Sequence, residues 1–168
     1  MNKIGFNVLA WTAVVSDGLM PIIERLKKIG YDGVECLIGA EDESAYRRFG
    51  DHAAALGLEV TSVFVLGKDE NPVSTSSAVR YKALDRIKWT IDRAHDMRCR
   101  IIAGPFHSAH GVFSREAPQE HEYNWSAEVL RAAGDYAAQA QVTLALEAVN
   151  RFECYMCNTM DQLKKLVD

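Results

Sequence analysis

Glu147, Asn150, Arg151 and Glu153 stand together in VTLALEAVNRFECYMCN, residues 142–158, where an apolar run gives way abruptly to polar residues. The run Val142, Thr143, Leu144, Ala145, Leu146 reads as a strand buried on both faces, so a carboxylate at its far end needs a partner. An unpaired buried charge is costly. Two partners fit: a metal ion, which would make Glu147 a functional ligand, or an arginine, for which Arg151 is the candidate. Carboxylates at strand ends of α/β proteins often sit on the ligand-binding edge. Cys154 and Cys157 form a CxxC pair, but no second pair closes a zinc site, so these thiols read as structural.

The elements that must position these residues alternate regularly. Residues 4–11, 33–39, 58–66, 100–105 and 142–149 read as strands. Between them, Leu19, Ile22, Ile23, Leu26 and Ile29 follow helical spacing, with Ser16-Asp17 as the cap, Pro21 in the first turn and Gly30 as the stop. Tyr46, Phe49, Ala53 and Leu56 share one face of a second helix that Gly57 ends. Residues 68–77 are polar, contain Asn71-Pro72 and read as a loop. The longest helix follows over residues 78–97, with Leu84, Ile87, Ile91 and Ala94 facing inward. A long connection then carries His107, His110, Phe113, His121 and Trp125, and connections of this length are usually functional. Ser126 is placed to cap a fourth helix, and Thr159-Met160-Asp161-Gln162 has the capping-box form that starts a fifth. Five strand–helix units in succession imply a parallel sheet with right-handed crossovers. A flavodoxin-like open parallel sheet and the first five units of a (β/α)8 barrel share this pattern.

Composition narrows the partners. The 168 residues are 48% apolar and 25% charged, ordinary globular values that suit one domain. A formal net charge of −4 without a Lys/Arg-rich run gives no reason to expect nucleic acid. No apolar stretch approaches membrane-spanning length, and the N-terminus lacks the pattern of a signal peptide. Four scattered cysteines fit free thiols in a reducing compartment, so a cytoplasmic location is expected.

LEAVNRFE, with Cys157-Asn158 following, resembles the fifth-strand motif of the D-tagatose 3-epimerase and D-psicose 3-epimerase family, within the xylose-isomerase-like superfamily. MNKIGFNVLAWT resembles that family's opening strand, including Trp11. IGYDGVE, residues 29–35, is similar to the second-strand entry, and AGPFHSA, residues 103–109, stands where these proteins have a fourth strand ending in the sugar pocket. The resemblance runs through the chain in register. It implies that residues 1–168 form a single α/β domain, the N-terminal five βα units of an incomplete TIM barrel.

The resemblance also implies a chemistry. Members hold one divalent ion, manganese, cobalt or magnesium, through two glutamates, an aspartate and a histidine, and the ion stabilises an enediolate formed on a ketose. Two glutamates on opposite faces of the sugar remove and return the proton. By motif position, Glu147 is implied as a metal ligand and one of those acid–base residues, and Glu153 as the glutamate that bonds the substrate's end. Trp11 is implied as an apolar wall beside the sugar, and His107, a strand-end histidine able to donate or accept, is expected to contact substrate. Glu35 is expected at the same rim, near substrate or paired with a lysine. Histidine at position 107 is not a clear family feature, which leaves related sugar isomerases open. The three other ligands belong to later strands without a counterpart here. A fragment of a longer enzyme follows, inactive and without tight metal binding on its own, with open sheet edges that favour self-association. An endonuclease IV-like DNA repair enzyme of the same superfamily is the less favoured alternative, given the acidic charge and the absence of histidine in residues 58–66.

Overall fold

Residues 2–39 and 42–168 are described in a computed structural model of the chain. Strands and helices alternate as β1 (Gly5–Asn7), α1 (Met20–Ile29), β2 (Gly33–Leu37), α2 (Glu43–Ala55), β3 (Glu59–Val63), α3 (Ser77–Asp96), β4 (Ile101–Gly104), α4 (Glu120–Gln139), β5 (Thr143–Leu146) and α5 (Met160–Val167). The strands are ordered β1-β2-β3-β4-β5, each beside its sequence neighbour. A flavodoxin-like sheet reverses direction after its first crossover and so places β1 inside. Here β1 is an end strand, which removes that alternative in favour of the barrel-type order.

Several expected boundaries move for local reasons. The first strand is three residues long because the Asn7 side chain accepts the Leu9 N–H at 2.9 Å and turns residues Val8–Ala10 into a 3₁₀ segment. Ser16 makes no side-chain capping bond, and Asp17 instead pairs with Arg48 at 2.9 Å. Ile29, expected on the apolar face of α1, is 71% exposed. Gly30 does end α1, in the left-handed conformation at φ 112° that favours glycine. Strand β5 is only partly buried, as an end strand must be, and is not covered on both faces as its composition implies.

The largest correction concerns α4. It begins at Glu120 rather than after Ser126, because Glu122 reaches back to accept the Gln119 N–H at 2.8 Å and closes the helix start without a Ser, Thr, Asp or Asn cap. His121 and Trp125 are therefore helical, with their rings 4.6 Å apart. Ser126 lies inside the helix, fully buried, and its hydroxyl donates to the His107 carbonyl at 2.7 Å. The capping box of α5 is formed as the sequence implies.

The chain divides into two compact units, Met1–Phe64 with Thr90–Ile102 and Ala140–Thr143, and Val65–Trp89 with Ala103–Gln139 and Leu144–Asp168. In the first, Val34, Cys36, Phe49, Ala53, Ile91 and Met97 are buried. In the second, Val73, Tyr123, Met156, Cys157, Leu163 and Leu166 form one apolar cluster.

Candidate active site

In the second unit, β5 delivers Glu147 one residue past its last ladder position. Both backbone polar groups of Glu147 are held by β4 and the segment after it: its N–H donates to the Gly104 carbonyl at 3.0 Å, and its carbonyl lies 3.2 Å from Nε2 of His107. A carbonyl only accepts, so the proton of the imidazole sits on Nε2 and Nδ1 is left to accept from the Ser108 hydroxyl, 3.2 Å away. The ring is fully buried. Burial lowers the His107 pKa to about 4, against the opposing effect of the Glu147 carbonyl, so the ring is neutral at neutral pH. With both nitrogens engaged, it has none free for a ligand.

The Glu147 side chain is exposed, and no ion pair or hydrogen bond of its carboxylate occurs among the described residues. Arg151, the arginine candidate, is likewise exposed and unpaired there, and because β5 is only partly buried the charge at its end needs no partner.

The connection from Glu147 to Glu153 is braced from within and from outside. Asn150 accepts the Phe152 N–H through its side chain at 2.9 Å and the Glu153 N–H through its carbonyl at 3.1 Å. The Glu153 carbonyl accepts from Gly111 at 2.8 Å. Asn158 donates to the carbonyls of Val149 and Cys154 at 2.8 and 2.9 Å, closing the loop across its base. The Glu153 carboxylate has no partner among the described residues. Cys154 and Cys157 are free and buried, and burial pushes the Cys157 thiol up to about 12. A thiol held protonated is a poor nucleophile and a poor metal ligand.

In the first unit, registers align Asn7, Glu35 and Thr61 in one row across three parallel strands. Side chains in such a row leave the sheet on the same side. Asn7 Nδ2 therefore reaches Glu35 Oε1 at 2.9 Å, and the Thr61 hydroxyl reaches Oε2 at 3.2 Å. These, and not a lysine, are the partners of Glu35. Trp11 is 53% exposed and stacks on Phe6 with ring centroids 4.7 Å apart. The two rings line a cavity of about 490 Å³ together with Ile22, Leu26, Ile29 and Tyr31. Sequence reasoning missed Asn7, Asn71 and Ser126. Asn71, buried in an apparently polar loop, accepts the Ala109 N–H at 3.1 Å and so fixes the segment after β4.

Among the described residues, no three His, Cys, Asp or Glu side chains converge on a point that could hold a metal ion. Divalent magnesium and manganese prefer six hard ligands. Glu147 offers one available carboxylate, which fits as a single ligand and not as a site.

Comparison with known proteins agrees with this geometry. Residues 23–168 match the family model described as xylose isomerase-like TIM barrel. L-ribulose 3-epimerase from Mesorhizobium japonicum is 28% identical over 163 residues, covering 96% of this chain and 54% of that protein. D-psicose 3-epimerase from Agrobacterium fabrum is 24% identical, covering 94% and 56%. A solved structure of L-ribulose 3-epimerase superposes with a TM-score of 0.91 at 29% identity, over 99% of this chain and 56% of the other. D-psicose 3-epimerase from Clostridium cellulolyticum, solved with D-tagatose, gives 0.85 at 21% identity, a likeness of fold. The chain spans about half the length of the curated relatives it matches.

Proposed function

Because this chain belongs to the xylose isomerase-like TIM barrel family, we propose that it supplies the first five βα units of a ketose 3-epimerase, with Glu147 as one of its two acid–base residues. The observation that carries the reading is the Glu147 carboxylate itself: exposed at the end of β5, without a partner among the described residues, on a backbone fixed at both polar groups. A general base needs a carboxylate free to reach a proton and held in a defined place. Support also comes from relatives named as 3-epimerases of L-ribulose and D-psicose.

In this reading Glu147 takes the proton from the carbon beside the ketose carbonyl. Glu153, six residues further on the braced loop, accepts from a hydroxyl at the end of the sugar. A divalent ion, manganese, cobalt or magnesium, would take one ligand from Glu147 and would stabilise the enediolate formed on the ketose. The other ligands are not among the residues described, so the 168-residue chain alone neither binds the ion tightly nor turns over.

The test compares this chain, the gene product extended through any coding sequence that follows Asp168, and Glu147→Gln in the extended protein. Each is supplied with manganese and with L-ribulose, D-psicose or D-tagatose, and C3 epimer formation is followed together with solvent deuterium uptake at C3. The extended protein is expected to exchange that proton. Glu147→Gln loses about 10²–10⁴-fold, the usual contribution of a positioned acid–base group. Calorimetric manganese binding by the short chain as tight as by the extended protein would overturn the assignment of the missing ligands. Full activity of Glu147→Gln would overturn the reading as a whole.

A further inference from the structure

We propose that His107 is a positioning residue for the reaction, aiming the Glu147 carboxylate by holding its backbone carbonyl, with Gly111 performing the same service for Glu153. The proposal rests on the reading of Glu147 as an acid–base residue. Its evidence is a pattern of contacts within one unit. The short segment after β4 reaches the following loop twice, through His107 Nε2 to the Glu147 carbonyl at 3.2 Å and through the Gly111 N–H to the Glu153 carbonyl at 2.8 Å. The two anchor points are four residues apart on one segment and grip glutamates six residues apart on the other.

The segment is itself built to hold still. Ser126 donates to the His107 carbonyl at 2.7 Å, Ser108 bonds Nδ1 at 3.2 Å, Asn71 accepts the Ala109 N–H at 3.1 Å, and the His110 N–H donates to the Leu66 carbonyl at 2.9 Å. Residues 104–109 are all buried. Gly111 adopts φ +72°, a left-handed conformation that a side chain would strain, and this directs its N–H toward the Glu153 carbonyl. Beyond Leu146 the strand ladder ends, and a carboxylate there would sweep a wide arc without further restraint. A buried, fully bonded imidazole is an expensive way to fill space, since an apolar side chain packs without needing two hydrogen-bond partners. Its use here is the directed Nε2–H.

Supporting partners of this kind typically change activity by about 10–100-fold when removed. Two variants, made in the extended protein of the preceding test, separate positioning from packing. His107→Leu keeps apolar volume and loses the donor. His107→Gln places an amide N–H near the Nε2 position. The expected result is a fall in kcat of about 10–100-fold for His107→Leu with KM nearly constant, and recovery of most of that loss in His107→Gln. Independently of turnover, the ¹³C resonance of the Glu147 backbone carbonyl should move in His107→Leu and return toward its original position in His107→Gln. Wild-type kcat in His107→Leu, or equal losses in both variants, overturns the proposal. Glu147→Gln is measured alongside: if it is inactive while His107→Leu is not impaired, the positioning role alone fails, and if it is fully active the reading of Glu147 fails first.

Discussion

Gly50→Ala sets two effects against each other, and the structure decides the sign. Gly50 lies inside α2, where alanine is favoured over glycine by about 0.8–1.0 kcal/mol of helix propensity. A Cβ at this position would sit 2.6 Å from the Cα, C and O atoms of Met97. Carbon atoms rest at about 3.5–4.0 Å, so α2 would have to withdraw by roughly 1 Å. The obstacle is backbone, and no side chain can rotate away. Withdrawal is further opposed by the ion pairs Arg93 to Glu43 at 2.7 Å and Arg47 to Asp96 at 2.9 Å, which tie α2 to the end of α3. Overpacking of this kind costs about 1–3 kcal/mol and sometimes more. Net destabilisation is therefore expected, and each kcal/mol lowers Tm by about 2–4 °C in a chain of this size. Gly134→Ala provides the control, because Gly134 lies in α4 with nothing within 4 Å of the added Cβ. Urea unfolding should show Gly134→Ala stabilised by about 0.5–1 kcal/mol and Gly50→Ala destabilised. Equal or greater stability in Gly50→Ala would refute the close approach of α2 to Met97.

Two other outcomes follow from the same structure. Burial holds the Cys157 thiol protonated up to about 12, whereas an unfolded cysteine ionises near 8.5, so the folded state binds more protons between those values. Stability is fully present below the lower value and falls as pH rises toward 12. Cys157→Ala should flatten that decline in unfolding titrations, and identical slopes for the two proteins would exclude the contribution. The 168-residue chain is also expected to self-associate, since β1 and β5 have no strand on their outer sides among the described residues and Ile4, Trp11 and Ile29 are 63%, 53% and 71% exposed. Sedimentation velocity across a concentration series is the measurement, and a monodisperse monomer throughout would contradict it.

What the sequence made legible was local. Gly30 as the stop of α1 and Thr159 with Gln162 as the box that opens α5 are signals read within one turn, and both are formed. The succession of five strands and five helices was legible for the same reason, because period 2 and period 3.6 are written in neighbouring residues. The start of α4 was not, since Glu122 closes it from inside the helix and the more conspicuous Ser126 donates elsewhere. Glu147 and Glu153 were marked by their motif. His107 was marked, but as a substrate contact, and its hold on Glu147, like that of Gly111 on Glu153, was not legible, because both act on backbone carbonyls and a carbonyl has no residue type for a pattern to detect.

The two strand-borne carboxylates illustrate how far residue type falls short of role. Glu35 and Glu147 both stand on or just past a parallel strand, and their sequences alone leave each with the same choice, a place near a ligand or a pairing with a basic side chain. In the structure Glu35 has one oxygen bonded by Asn7 and the other by Thr61, through a register row that the pairing of β1, β2 and β3 creates. A carboxylate with both oxygens already hydrogen-bonded to neighbouring strands has less acceptor capacity left for a ligand. Glu147 leaves both oxygens without partners among the described residues, while its backbone is fixed on each side. The distinction arises from where each strand ends relative to its neighbours: Glu35 stands within the ladder, where adjacent strands supply donors, and Glu147 stands one residue beyond it. Strand length thus separates a carboxylate that organises the sheet from one left available for chemistry.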